Sequence, residues 1–248
     1  MSQSRNYAHP PIVEAVCEFR CPPETMWDLT VPGLIYEKVR TEFPHREPRQ
    51  VQEIEVIAGP EETQRWVRTS ERVLFFSQDK ETFIQVGPRV LAVNRLKPYL
   101  AWAGFKPSIE RAVCALVDTV EVKQFQRIGL LYVNRIVIPD KAVDLDKYFE
   151  FRPFLGPLLP QNLASFFLGA DLPFQDGRAN CRVELANAVP ESSDTTVFLL
   201  RLDYSSLEPG WVCVDRAMEW IEEAHRGVEY VFEGCIRDPL RAVFQEAK

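Results

Sequence analysis

Glu14, Glu18 and Arg20 fall on one face of an alternating stretch from Val13 to Arg20, with Val13, Ala15, Cys17 and Phe19 on the other. Side chains two apart on a strand stand about 6.6 Å apart on the same face. Glu18 and Arg20 are therefore spaced to pair with each other on a solvated sheet face, or to hold a ligand between them. A second polar pair, Asn134-Arg135, follows the apolar run Ile128-Gly129-Leu130-Leu131-Tyr132-Val133. Asn and Arg suit a buried strand poorly. Arginine offers a fork for a carboxylate or phosphate, and asparagine both donates and accepts. Such a pair marks either a binding position or the point where a strand emerges into solvent. Val93-Asn94-Arg95-Leu96 repeats the pattern of Val133-Asn134-Arg135-Ile136, and there emergence into solvent is the expected reason. If the two strands pair, Glu14, Glu18 and Arg20 come near Asn134 and Arg135. The result is either a polar pocket or an ion-pair network joining two halves.

Other chemistry is thinly represented. The three histidines, His9, His45 and His225, lie far apart, and no G-x-S-x-G elbow supplies a nucleophile. His225 reads as a partly buried helix residue. Neither G-x-x-x-x-G-K-[ST] nor G-x-G-x-x-G occurs. The six cysteines are dispersed without a C-x-x-C, mostly within apolar stretches, as buried thiols of a reducing compartment would be. Cys17 and Cys21 stand about 13 Å apart by strand rise, too far for one zinc ion. No metal site, cofactor or catalytic residue is expected.

The elements that would position these residues repeat in order. A strand at Val13–Arg20 leads to a helix from Val31 to Phe43 and strands at Val51–Ala58, Trp66–Gln78 and Thr82–Leu96. Gly87-Pro88 bulges or splits the last of these. A helix from Lys106 to Val122, with Pro107 near its start, closes the series. A strand at Gln126–Pro139 then begins it again. A short helix capped by Asp144 follows, then strands at Ala164–Phe174, Cys181–Ala188 and Thr196–Tyr204. Pro173 breaks or ends the first of these. The long closing helix buries Ala217, Trp220, Ile221, Ala224, Val228, Val231, Phe232 and Cys235, and Asp238-Pro239 restarts a last short helix. The expected fold is α+β, with two tandem β-α-β-β-β-α units, residues 1–123 and 124–248. They would form a large, mainly antiparallel sheet of eight strands with helices mainly on one face.

The net charge of −7 and pI near 5.2 count against a nucleic-acid partner. Trp66, Arg68, Tyr132 and Arg135 on strands keep a nucleic-acid-binding or RNA-processing protein as the alternative. No apolar run approaches the ~18 residues of a membrane span. The polar start at Met1–Asn6 has no apolar segment behind it, so a cytoplasmic location is expected. The connection Pro153-Phe154-Leu155-Gly156-Pro157-Leu158-Leu159-Pro160 is apolar for a loop. Such a segment packs over a sheet end more often than it docks a partner.

Pro10-Pro11-Ile12-Val13-Glu14-Ala15-Val16-Cys17-Glu18-Phe19-Arg20 resembles the opening motif of a sporadically distributed family of uncharacterised prokaryotic proteins of about this length. Arg127-Ile128-Gly129-Leu130-Leu131-Tyr132-Val133-Asn134-Arg135-Ile136 is similar to a second motif of that family, with Leu131 where the family often has Arg. Ile84-Gln85-Val86 and the closing helix, with His225, Phe232, Ile236 and Asp238, extend the resemblance over nearly the whole chain. The patchy distribution implies mobile-element or defence-related genes. The expectation is a non-enzymatic interaction protein within a cytoplasmic complex, with a protein partner and candidate positions Glu14, Glu18, Arg20, Asn134 and Arg135.

Overall fold

The computed structural model describes residues 5, 7–58, 63–99, 101–161 and 163–245, without the side chains of 52–58 and 63–68. Among the described residues, one antiparallel sheet of nine strands has the order β2-β3-β4-β5-β1-β6-β9-β8-β7. In chain order the elements are β1 (Ile12–Arg20), α1 (Val31–Val39), β2 (His45–Ala58), β3 (Thr63–Phe76), β4 (Thr82–Gly87), β5 (Val90–Leu96) and α2 (Ala101–Val117). There follow β6 (Arg127–Ile138), α3 (Leu145–Tyr148), β7 (Phe167–Phe174), β8 (Ala179–Ala188), β9 (Thr196–Ser206), α4 (Ala217–Cys235) and α5 (Asp238–Phe244). Two single-turn 3₁₀ segments lie at Gln175–Gly177 and Val214–Arg216.

Although β1 opens the described elements, it lies in mid-sheet between β5 and β6. Its alternation explains this: Ala15, Cys17 and Phe19 are fully buried, while Glu14, Val16, Glu18 and Arg20 face the other way. Ile128, Leu130, Tyr132, Ile136 and Ile138 of β6 continue the same face into one core with the buried residues of α1, α2, α4 and α5. The edge strands β2 and β7 each carry a proline, Pro48 and Pro173. An edge tolerates the missing N–H and gains protection against further strand pairing. Pro173 therefore stays within β7, opposite Asn180, and does not end it.

The expected count of eight strands fails at one place. Thr82–Leu96 is a hairpin of two strands, β4 and β5, turning through Gly87-Pro88-Arg89-Val90, with Arg89 at a φ of 59°. α1 stops at Val39 instead of running to Phe43, and β2 begins at His45. α2 starts at Ala101, which places Pro107 inside it. Pro107 has no N–H for the carbonyl four residues earlier, that of Ala103, and Ala103 is exposed to water. The Gly59–Glu62 separation expected between two strands lies outside the described residues. β3 pairs with β4 only from Val73 to Phe76, so backbone 49–58 and 63–72 forms a two-stranded ribbon beyond that contact. No helix among the described residues is long and apolar enough to cross a membrane.

α4 lies against β9, β6 and β8, and its Gly227 packs against the Tyr204 ring. A Cβ there would stand 2.6 Å from Cε2 of the buried Tyr204 ring. Alanine for glycine in a helix normally gains about 1 kcal/mol. Forcing a ring out of a packed core costs about 1–3 kcal/mol. Gly227→Ala is therefore expected to lower stability by about 1 kcal/mol in a urea titration. A gain in stability would show that Tyr204 yields freely.

Candidate functional site

The five residues singled out from the sequence separate into four places. Glu18 and Arg20 pair at 2.8 Å on the sheet face opposite the core. Arg127 of β6 approaches Glu18 at 3.3 Å and Asp203 of β9 at 3.4 Å. Further along, Arg201 meets Glu184 at 3.2 Å, and Arg182 joins Glu184 at 2.8 Å and Asp171 at 3.1 Å. Four arginines thus stand against four carboxylates across β1, β6, β9, β8 and β7. Burial raises the Asp203 carboxyl above its ordinary range, opposed by the Arg127 charge. Pairs of this kind, part-buried on a face open to solvent, contribute up to about 1 kcal/mol each.

Glu14 lies apart from that row. It accepts from Asn94 Nδ2 at 2.8 Å, and Asn94 Oδ1 accepts from Gln85 at 2.7 Å. Neither Asn94 nor Arg95 marks emergence into solvent, for both are buried. Arg95 donates to Thr82 Oγ1 at 2.8 Å, Glu81 at 2.7 Å and the Pro98 carbonyl at 3.2 Å. These polar partners allow two poor strand formers to sit inside the sheet.

Arg135 and Asn134 point to opposite faces, as neighbours on a strand must. The β1–β6 register sets Arg20 opposite Arg127 and Ile12 opposite Asn134, at the other end of the pair. Arg135 therefore lies away from Glu18 and Arg20, and it binds Glu191 at 3.0 Å. Asn134 turns to the core side, where it lines a cavity of about 630 Å³ between β6, α4, the start of α2 and the segment before β1.

That cavity contains a hydrogen-bonded row that the sequence did not disclose. His225 Nε2 is 3.3 Å from Glu229 and Nδ1 is 3.2 Å from the Tyr132 hydroxyl, which lies 2.9 Å from the Tyr99 hydroxyl. Trp102 stacks on His225 with centroids 4.2 Å apart and planes 14° from parallel. With Nε2–H given to Glu229, Nδ1 accepts from Tyr132, and Tyr132 in turn accepts from Tyr99. Burial raises the ionisation of both phenols well above the ordinary tyrosine value. They stay protonated at neutral pH, so the row orders hydroxyls and supplies no phenolate nucleophile. The i,i+4 spacing of His225 and Glu229 was visible in the sequence; their approach to Tyr132, across 93 residues, was not.

The connection from α3 to β7 is the third feature. Phe154 is 90% and Leu158 98% exposed, and Leu159 is also exposed. Packing over the sheet end, the commoner fate of such a loop, is not what these side chains do. Local bonds shape the segment: Gln161 Nε2 donates to the Gly156 and Leu159 carbonyls, and Arg152 pairs with Asp146. Of the residues that suggested nucleic-acid contact, Tyr132 lines the cavity and Arg135 is paired. The Trp66 and Arg68 side chains lie outside the described residues.

The expected burial of the thiols holds for four of six. Cys17, Cys21, Cys181 and Cys235 are buried, whereas Cys114 and Cys213 are exposed, and all are free. Burial pushes Cys21, Cys181 and Cys235 up to about 12. An aromatic disulfide reagent is therefore expected to titrate two thiols in the native protein and six in denaturant. Rapid reaction of a third would contradict the packing of the core. Among the described residues no group of three or more His, Cys, Asp or Glu is placed to hold a metal ion. No family model, curated protein or solved structure matches this chain.

Proposed function

We propose that this chain is a non-enzymatic binding protein that docks a protein partner through the connection between α3 and β7. The observation that carries this reading is the exposure of Phe154, Leu158 and Leu159 within one stretch of six residues. Soluble proteins avoid contiguous exposed apolar surface except where something covers it. Pro153, Pro157 and Pro160 restrict the backbone there, which lowers the ordering cost of docking.

Two further parts of the proposal rest on other grounds. A cytoplasmic prokaryotic complex, of the kind mobile-element or defence genes encode, is what the resemblance at Pro10–Arg20 and Arg127–Ile136 implies. The halves 1–123 and 124–248 are taken as copies of one unit. Support comes from β1 and β6, which pair at the sheet centre, each followed by a helix, a meander returning to its side and a closing helix. The first meander has one strand more.

The test is affinity purification of the tagged chain from its native host, in parallel with the Phe154→Ser/Leu158→Ser variant. A stoichiometric protein partner present with the wild type and absent from the variant supports the proposal. A partner retained equally by both, or a wild-type chain that elutes alone, overturns it.

A further inference from the structure

The cavity beneath α4 carries a separate inference. We propose that it binds an uncharged, flat, largely apolar small molecule that presents an N–H or O–H donor to Asn134. Its volume of about 630 Å³ is within the range of pockets that enclose a whole small ligand. Tyr7, Tyr99, Trp102, Phe232, Leu202 and Val228 give it walls of rings and aliphatic groups, surfaces that favour a flat apolar body.

The polar groups select the rest of the ligand's chemistry. Asn134 is only 2% exposed, and its Nδ2 donates to the Leu200 carbonyl at 3.1 Å. That bond fixes which end of the amide is which, because a carbonyl cannot accept from Oδ1. Oδ1 has no partner among the described residues and lines the cavity as an acceptor. A ligand donor there replaces water at an acceptor that holds no protein donor. With the His225 tautomer given above, the hydroxyl hydrogens of Tyr99 and Tyr132 are used along the row to His225, and that of Tyr7 goes to Glu233. Beside Asn134 the cavity therefore offers an occupant an acceptor.

Charge on the ligand is disfavoured because the lining carboxylates already hold hydrogen-bond donors or an arginine. Glu233 accepts from Tyr7 at 2.6 Å and pairs with Arg241 at 2.8 Å. Arg5 stands 4.0 Å from Glu233, and Glu229 faces His225. A charged occupant would lose its hydration without gaining an unmatched counter-ion.

Matched probes separate the parts of this proposal. Indole and 2-naphthol carry the donor; 1-methylindole and 2-methoxynaphthalene replace it with a methyl group. Titration calorimetry on the full chain is expected to show saturable binding of the first two and about tenfold weaker binding of the second two, the loss of one hydrogen bond. Benzoate and benzylammonium should bind more weakly still. Ala103 lines the cavity from an exposed position on α2, so Ala103→Trp should block the probes while leaving the Tm unchanged. The Phe154→Ser/Leu158→Ser variant should bind them as the wild type does, which keeps this site distinct from partner docking. Absence of saturation by both donor probes, equal affinity within each matched pair, or binding that survives Ala103→Trp overturns the proposal.

Discussion

Phe19→Ala is expected to cost about 3–5 kcal/mol of stability, the range for truncating a fully buried aromatic ring. Phe19 has no exposed surface, and its ring lies 5.1 Å from that of Phe125. It sits on β1, which is hydrogen-bonded on both sides, to β5 and to β6. A void at this point weakens contact between parts of the sheet far apart in sequence, and strands paired on both edges cannot easily collapse into it. For a chain of this size the loss corresponds to a fall in Tm of about 10 °C. Met26 and Leu29, both exposed, provide controls, since alanine there should change stability by less than about 0.5 kcal/mol. A Phe19→Ala effect as small as the controls would mean that β1 is not a central strand.

Phe154→Ser/Leu158→Ser should weaken partner association by at least about 100-fold, because buried apolar anchors at an interface often account for 2 kcal/mol or more each. Its Tm should stay within about 1 °C of the wild type. Both side chains lie in water in the isolated chain, so serine removes no packing from the folded state. This separation of binding from stability is what distinguishes a docking loop from a structural one. A large fall in Tm would mean instead that the loop covers part of the core.

Much of the fold was legible because it is local. The alternation of Val13–Arg20 marked β1, the stripe from Ala217 to Cys235 marked α4, and Asp238-Pro239 marked the start of α5. The turn at Gly87–Val90 was less legible, since Gly-Pro fits a bulge as well as a hairpin. Burial of Asn94 and Arg95 escaped the reading because their partners, Glu14, Gln85, Thr82 and Glu81, are brought up by strand pairing. Composition also fails to say whether an apolar loop is covered, so Phe154 and Leu158 read the same either way. The candidate site suffered from one geometric limit: adjacent Asn134 and Arg135 must face opposite sides of β6. Asn134 consequently led to the cavity, while Arg135 led to Glu191.

Hydrogen–deuterium exchange on the isolated chain and on its purified complex tests the docking claim most directly. Leu159 N–H is bonded to the Gly156 carbonyl at 3.0 Å, but the apolar side chains around it are exposed and the segment lies outside the sheet. Exchange there should be fast in the free chain. In the complex, the amides from Phe154 to Leu159 should slow by at least about tenfold, with little change in β1 and β6, whose amides the sheet already protects. Unchanged exchange from Phe154 to Leu159, with new protection elsewhere on the surface, would contradict the account.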